Sequence, residues 1–536
     1  MVDVPGVNLE PNEEIAVDGF VEKGSPLSQR KDATYNKFDG VYPSIKTDPV
    51  TCKATEIKIL SCARPHMRGF HISWFSFFLA FFCWFSITPL LSTIKEPAPV
   101  GLGISKEDIW TSSIVAVCGT IIMRLLLGPM CDKYGARITM AVVLVMGAIP
   151  TGLTGTINNA TDLIIIRLFI GVIGSAFVMC QYWTTTMFTR EVAGTANAIA
   201  GGWGNLGGGV TQLVMGTVLF PLFKLGMSPN DAWRSVCAVP AAFVLVWAGV
   251  MLFISDDAPK GNYAKLKRVG AMSKVSASTS FKAGGSHLNT WLLFVQYACC
   301  FGVELTMNNA AALYFRDTLG ESVESAAAIA SIFGFMNLFA RGLGGWASDK
   351  LNQKYSMRGR LWVQMVLMML EGAFIIVFSR TNDLAGAIIT MTIFSVFVQA
   401  AEGSTYSIVP YVDPKNGGSV AGIVGAGGNV GAVAFGLVFR SVAEDVQAFE
   451  IMGAVVMAAS IMPLFIILPG YKGIIWGTEK EEEQAKDDGA TNNNNNNVDA
   501  ELPSIYADAA NEPRSDGRNR RSVDAMDTNK INLHIN

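Results

Sequence analysis

Arg124 to Arg137 reads "RLLLGPMCDKYGAR", and Arg341 to Asp349 reads "RGLGGWASD". Each stretch has an arginine, a glycine four residues on (Gly128, Gly345) and an aspartate eight residues on (Asp132, Asp349). An arginine at mid-bilayer costs on the order of 3 kcal/mol by insertion scales, yet each of these stands within an apolar run. A second pair lies downstream: "GNLG" at Gly204–Gly207 and "GNVG" at Gly428–Gly431. The arginines are 217 residues apart, and the asparagines, Asn205 and Asn429, 224 apart. Two near-equal offsets mean that one unit has been duplicated.

Working outward, the 536 residues are 50% hydrophobic and only 16% charged, with a mean hydropathy of +0.35. Soluble globular chains carry nearer a quarter charged residues. Runs such as "FHISWFSFFLAFFCWFSITPLL" are long enough to cross a hydrocarbon core of about 30 Å. The sequence predicts an all-α polytopic membrane protein with twelve spans. They fall near 70–93, 108–130, 138–157, 162–187, 194–222, 233–255, 289–315, 324–348, 361–379, 384–409, 417–440 and 446–469. This gives an N-terminal segment (1–69), a six-helix half (70–255), a basic central loop (256–288), a second half (289–469) and a tail (470–536) expected to be disordered. Lys and Arg concentrate in the even-numbered loops, six of them between 256 and 288, which predicts cytoplasmic termini. The nine scattered cysteines show no metal spacing and are expected to be inert packing. A net charge of −3 gives no sign of nucleic acid as a partner. The partner that the composition demands is the lipid bilayer.

The first copy continues as "GPMCDKYGAR", which matches the G-x-x-x-D-x-x-G-x-R loop between the second and third spans of the major facilitator superfamily. The loop needs a tight turn, at Gly135, and lets Asp132 and Arg137 hold helix ends. The second copy keeps Gly345 and Asp349 but loses the later glycine and arginine, reading "KLNQKYSMRGR". Two pseudo-symmetric six-helix halves around a midplane cavity are a transporter design.

Arg124 and Arg341 lie eight residues, roughly 12 Å of helix, inside their aspartates. Either they pair with an intramembrane acid, Glu304, Glu371 or Glu402, or they share an anion between the halves. Arginine suits planar oxyanions because its donors form a rigid fork. The stretch "AGGWGNLGGGVTQ", Ala200 to Gln212, places Gly201, Gly208 and Gly209 on the face of Asn205. Gly425 stands one turn from Asn429. Small residues allow tight helix packing with asparagine as a clasp; the same construction in both halves also makes a narrow slot for a thin, flat anion. Nitrate has that shape. Arg167, in "RLFIGVIG", falls near the outer end of the fourth span, where it is expected to snorkel or to pair with a neighbouring helix.

"GGWGNLGGGVTQ" and "GAGGNVGA" resemble the paired signatures of the nitrate/nitrite porter family, and the likeness extends through "QYWTTTMF", "FGVELTMNN" and "VQAAEG". The chain is most similar to eukaryotic, algal-type high-affinity nitrate transporters. The resemblance implies nitrate, with nitrite a further candidate, as substrate, proton symport, and Arg124 and Arg341 as substrate arginines. Asn205, Asn429, Gly204, Gly208 and Gly428 then lie beside the anion. It also raises a small single-span accessory protein as a partner. Some relatives carry a pocket tyrosine in the seventh span; the local match here falls near Met307, which leaves the aromatic wall unassigned.

An inside-negative membrane opposes anion entry by about 2.3 kcal/mol per 100 mV per charge, so voltage-driven uptake needs more than one proton per nitrate. Glu304 and Glu402 are the proton-coupling candidates; Glu371, in the ninth span, is expected to face a structural partner. A plasma-membrane location follows from this role. A proton-independent nitrate/nitrite exchanger and a nitrate sensor are the competing readings. No metal cluster, nucleophile triad or cofactor motif appears, so an enzyme is not expected.

Overall fold

In hydrocarbon every backbone N–H and C=O must bond within its own segment, and the apolar runs are helical accordingly. The computed structural model describes residues 16–17, 20–21, 45–49, 51–261, 263, 282–413, 417–468 and 470–477. At 16, 17, 20, 21, 125, 128, 129, 132, 190, 191, 417 and 418 only the backbone is described, so the expected roles of the Gly128 and Asp132 positions lie outside it. The predicted tail and most of the central loop also lie outside the described residues.

Among the described residues, eleven helices are long and apolar enough to cross a membrane: α1 (His66–Lys95), α3 (Ala136–Thr156), α4 (Ala160–Met187), α5 (Val192–Lys224), α6 (Pro229–Ile254), α7 (Leu288–Asp317), α8 (Val323–Tyr355), α9 (Met357–Ser379), α10 (Leu384–Tyr411), α11 (Ser419–Ser441) and α12 (Asp445–Phe465). A further helix of 29 residues, α2 (Lys106–Tyr134), occupies the place of the second expected span and stands outside that count. Large apolar side chains such as Phe169, Val246, Phe253 and Leu222 are exposed. Faces of that kind belong against lipid in a multi-pass protein.

The helices pack as the internal repeat demands. The pairings α1–α5, α2–α4 and α3–α6 recur six helices later as α7–α11, α8–α10 and α9–α12. The two sets meet through α2 against α11 and α5 against α8. Glycine makes the second meeting possible: a methyl on Gly209 would sit 2.7 Å from backbone atoms of Gly334. Past that point α5 widens into a π-helix, Gln212–Leu219, and Gln212 donates to the Asn308 carbonyl at 2.8 Å. Helices α1 and α7 are the most buried, at 89% and 72% of their apolar windows, and so form the centre.

The two ends of the bundle differ. At the end remote from residues 45–65, four ion pairs among the described residues join the halves: Lys95–Asp317 at 2.7 Å, Lys106–Asp445 at 2.7 Å, Lys224–Glu324 at 2.9 Å, and Glu96–Arg316. At the other end, residues before α1 dock on the first half. Ala54 bonds through its backbone to Met187 and Thr189, and Arg64 grips Asp256 at 2.7 and 3.0 Å.

The α2–α3 turn is where the sequence motif acts. Gly135 has φ +86°, and Arg137 donates to the Leu252 and Ser255 carbonyls at 2.9 and 3.3 Å and to Asp257 at 3.3 Å. Burial pushes the Asp257 carboxyl above its ordinary range, against the pull of Arg137. The α8–α9 turn does the same work with other residues. Ser356 has φ +54°, and two residues on, Arg358 donates to the Gly473 and Ile474 carbonyls at 2.8 and 3.4 Å. "KYGAR" and "KYSMR" are therefore counterparts, displaced by one added helical turn, "LNQK". The second copy has shifted its turn and arginine, not lost them. Asp349 in turn accepts from Arg360 at 2.7 Å.

Candidate functional site

Arg124 on α2 and Arg341 on α8 come from equivalent places in the repeat and are 7% and 2% exposed. Their surroundings are not equivalent. Arg124 donates to the Gly425 carbonyl at 2.9 Å and the Gly174 carbonyl at 3.4 Å, and its guanidinium lies 5.0 Å from the Phe177 ring and 5.8 Å from the Phe301 ring. These are neutral partners, and cation–π contacts stabilise such a charge only partly. Arg341 pairs with Glu402 at 2.5 Å and donates to the Tyr297 hydroxyl at 3.0 Å. The acid-pairing alternative thus describes Arg341 and not Arg124. The Nε of each arginine is buried without a hydrogen-bond partner among the described residues.

An aromatic wall stands between them. Tyr297 and Tyr406 meet edge to face at 5.1 Å, Tyr297 stacks on Phe301 at 5.3 Å, and Phe177 stacks on Phe301 at 6.3 Å. The wall tyrosine of α7 is Tyr297, ten residues before the Met307 position where the family match falls. Sequence reasoning missed Phe177, Tyr297, Phe301 and Tyr406, although a signal was available. Tyr297 precedes Glu304 by two helical turns and Tyr406 follows Glu402 by one, so each shares a face with a candidate acid.

The carboxylates gather on the Arg341 side. Glu304 accepts from the Asn205 amide at 3.2 Å and from the Asn337 amide at 3.0 Å. Glu304 and Glu402 act electrostatically on each other and on Arg341. One Glu402 oxygen and the carbonyl oxygens of Asn205 and Asn429 are buried without partners among the described residues. Asn429 makes only a long contact to the Gly425 carbonyl, 3.4 Å. Glu371 departs from expectation: fully buried on α9, it has neither oxygen partnered among the described residues.

The glycines set helix spacing around this centre. Methyl groups on Gly204 and Gly428 would lie 1.8 Å from Phe77 and 2.3 Å from Phe301, so each repeat presses its glycine on the corresponding phenylalanine of α1 or α7. Gly208 faces the Asn308 amide, and Gly201 faces the Arg341 guanidinium at 3.3 Å. Gly345 is less confined, its nearest neighbour Ser407 Oγ at 3.8 Å. The result is a buried centre holding two guanidiniums and two carboxyls, with more donors and acceptors than bonds among the described residues use. Buried polar groups are ordinarily hydrogen-bonded, so each of these calls for a partner.

Residues 73–481 match the Major Facilitator Superfamily model. The chain is 36% identical to "High affinity nitrate transporter 2.5" of Arabidopsis thaliana over 427 residues, 79% of this chain and 84% of that protein. It is 35% identical to "Nitrate transporter 2.2" of Chlamydomonas reinhardtii, over 80% of this chain and 83% of that one. "Nitrate/nitrite transporter NrtP" of a Picosynechococcus species is 29% identical, covering 76% and 90%. Among solved structures, a bacterial homologue of the human lysosomal transporter Spinster, inward-facing and unoccupied, superposes with a TM-score of 0.55 at 15% identity, over 74% of this chain and 94% of that one. That last likeness shows the fold alone. From family model and relatives together, the chain belongs to the Major Facilitator Superfamily and, within it, to the nitrate/nitrite porter family.

Proposed function

We propose that this protein imports nitrate, with nitrite as a second substrate, by proton symport and alternating access, in a plasma membrane with both chain ends cytoplasmic. The names of its relatives support the substrate. The observation that carries the mechanism is the asymmetry of the two arginines: Arg124 has no carboxylate partner among the described residues, whereas Arg341 is held by Glu402 at 2.5 Å.

An anion entering between them takes up the free donors of Arg124 and competes with Glu402 for Arg341. A proton on Glu402 removes the competitor. Anion and proton then favour each other's binding, and by linkage the effect is reciprocal. Charge sets the number of protons. Two guanidiniums and two carboxylates sum to zero, and bringing one nitrate into a low dielectric leaves an uncompensated charge, which is costly. Protonating Glu402 restores neutrality; protonating Glu304 as well makes the loaded centre positive. A positive centre is drawn inward by an inside-negative potential. Tyr297 and Tyr406 supply hydroxyls and a flat wall, and glycines keep the helices close enough to exclude water.

Nitrate-induced current in voltage-clamped cells expressing the chain tests this reading. Inward current that grows with acidification is expected. Zero net current alongside isotope uptake that does not respond to pH would point to one-for-one exchange, and no uptake at all to a sensor.

A further inference from the structure

A third buried arginine takes no part in the centre just described. Arg167, on α4, is 2% exposed and donates to Ser112 Oγ at 3.1 Å and Ser113 Oγ at 2.7 Å on α2, and to Asn309 Oδ1 at 2.9 Å on α7. It does not snorkel. Every one of these partners is neutral, and no carboxylate among the described residues pairs with it. Buried charges are ordinarily paired, because dipoles alone repay only part of the lost hydration. Carboxylates are not scarce nearby, since the same end of the bundle fastens its halves with four acid–base pairs. Beside it lies a small cavity, about one water in size, lined by Trp110, Ser113, Thr306 and Asn309 among others. Two of the three groups that hold Arg167 therefore border that cavity.

Position adds direction. Ser113 precedes Arg124 by eleven residues on α2, about 16 Å along the helix, on the side away from residues 45–65. Arg167 and its serines belong to the first half and Asn309 to the second. Separating the halves at this end breaks the bond to Asn309 and leaves the guanidinium fork facing the gap.

We propose that Arg167, with Ser113 and Asn309, forms a second, outer anion site that receives a monovalent planar oxyanion before it reaches Arg124 and Arg341. The inference rests on the nitrate-carrier reading above. In the closed form three neutral groups hold the charge. In the open form the anion takes the place of Asn309 Oδ1, and the guanidinium beside the gap raises the local anion concentration.

The test is concentration-dependent uptake of isotopically labelled nitrate by vesicles containing the purified full chain, as wild type, Arg167→Gln and Arg167→Lys. Arg167→Gln is expected to raise KM about tenfold, the scale of one lost charge-assisted hydrogen bond, with the maximal rate within about twofold of wild type. Arg167→Lys is expected to recover part of the affinity, because it keeps the charge and loses the fork. An unchanged KM in Arg167→Gln overturns the inference, and so does a fall in maximal rate at unchanged KM, the mark of a purely structural arginine. If Arg167→Gln does not reach the membrane, Arg167→Lys decides on the same criterion, with a KM about threefold higher expected. Wild-type vesicles that take up no nitrate would refute the carrier reading instead. The outer site is then read through Trp110, which lines the cavity: nitrate is expected to quench the fluorescence of wild type more than that of Trp110→Phe. Loss of that quenching in the Arg167 variant supports the site, and its persistence removes it.

Discussion

Replacing Glu402 by glutamine keeps the shape of the group 2.5 Å from Arg341 and removes its charge. In the native centre an anion must displace that carboxylate. Two unit charges about 4 Å apart attract by roughly 4 kcal/mol at an effective dielectric of about 20. One pH unit corresponds to 1.36 kcal/mol, so protons offset an attraction of that size over about three pH units. Wild-type nitrate affinity is therefore expected to rise with acidification, by up to about tenfold per unit for each proton bound with the anion. In Glu402→Gln the competitor is gone at every pH. The variant is expected to bind nitrate more tightly than wild type at alkaline pH, with a slope lower by one proton; whatever slope remains belongs to Glu304. Calorimetric titration of the purified chain with nitrate across those three units reads both quantities. A variant with the wild-type slope, or one that binds nitrate more weakly than wild type at alkaline pH, would refute the competition between Glu402 and the anion.

Arg124→Lys and Arg341→Lys each lose the fork that reaches two acceptors, Gly425 and Gly174 in one case and Glu402 and Tyr297 in the other. Nitrate uptake is expected to fall at least about tenfold in each at normal membrane delivery, as measured by isotope flux. Gly204→Ala and Gly428→Ala push methyl groups into Phe77 and Phe301 and are expected to lower stability by about 1–3 kcal/mol, read as a drop in Tm in detergent. Ser356 holds a φ of +54° that suits glycine, so Ser356→Gly is expected to stabilise by about 1 kcal/mol. Gly135→Ala is expected to destabilise by at least that much, since its Cβ would also meet Asp257 and Tyr263 at 3.1 Å.

Much of this architecture was legible because the membrane imposes simple rules. Apolar length marks spans, and a cation inside a span announces itself by its cost, which is why Arg124, Arg341, Glu304 and Glu402 could be named from sequence. Near-equal offsets, 217 and 224 residues, exposed the repeat. The tyrosines were not legible in the same way: an aromatic residue in an apolar helix is unremarkable until its neighbours across the bundle are known. The α8–α9 turn hid behind one inserted helical turn, because a spacing motif fails when a helix lengthens while its geometry is preserved. Glu371 shows the opposite limit, since its charge was visible and its lack of hydrogen-bond partners among the described residues was not. Arg167 was visible too. That it bridges the two halves depends on packing between α4 and α7, which no local pattern encodes.

The central claim is that one planar anion is shared by a guanidinium from each half of the molecule, and a map of the carrier with nitrate bound tests it most directly. The account predicts nitrate oxygens within hydrogen-bond distance of both Arg124 and Arg341, against the Tyr297–Phe301 wall, with Glu402 withdrawn from Arg341. Nitrate lodged elsewhere, or either guanidinium turned away from it, would contradict the account.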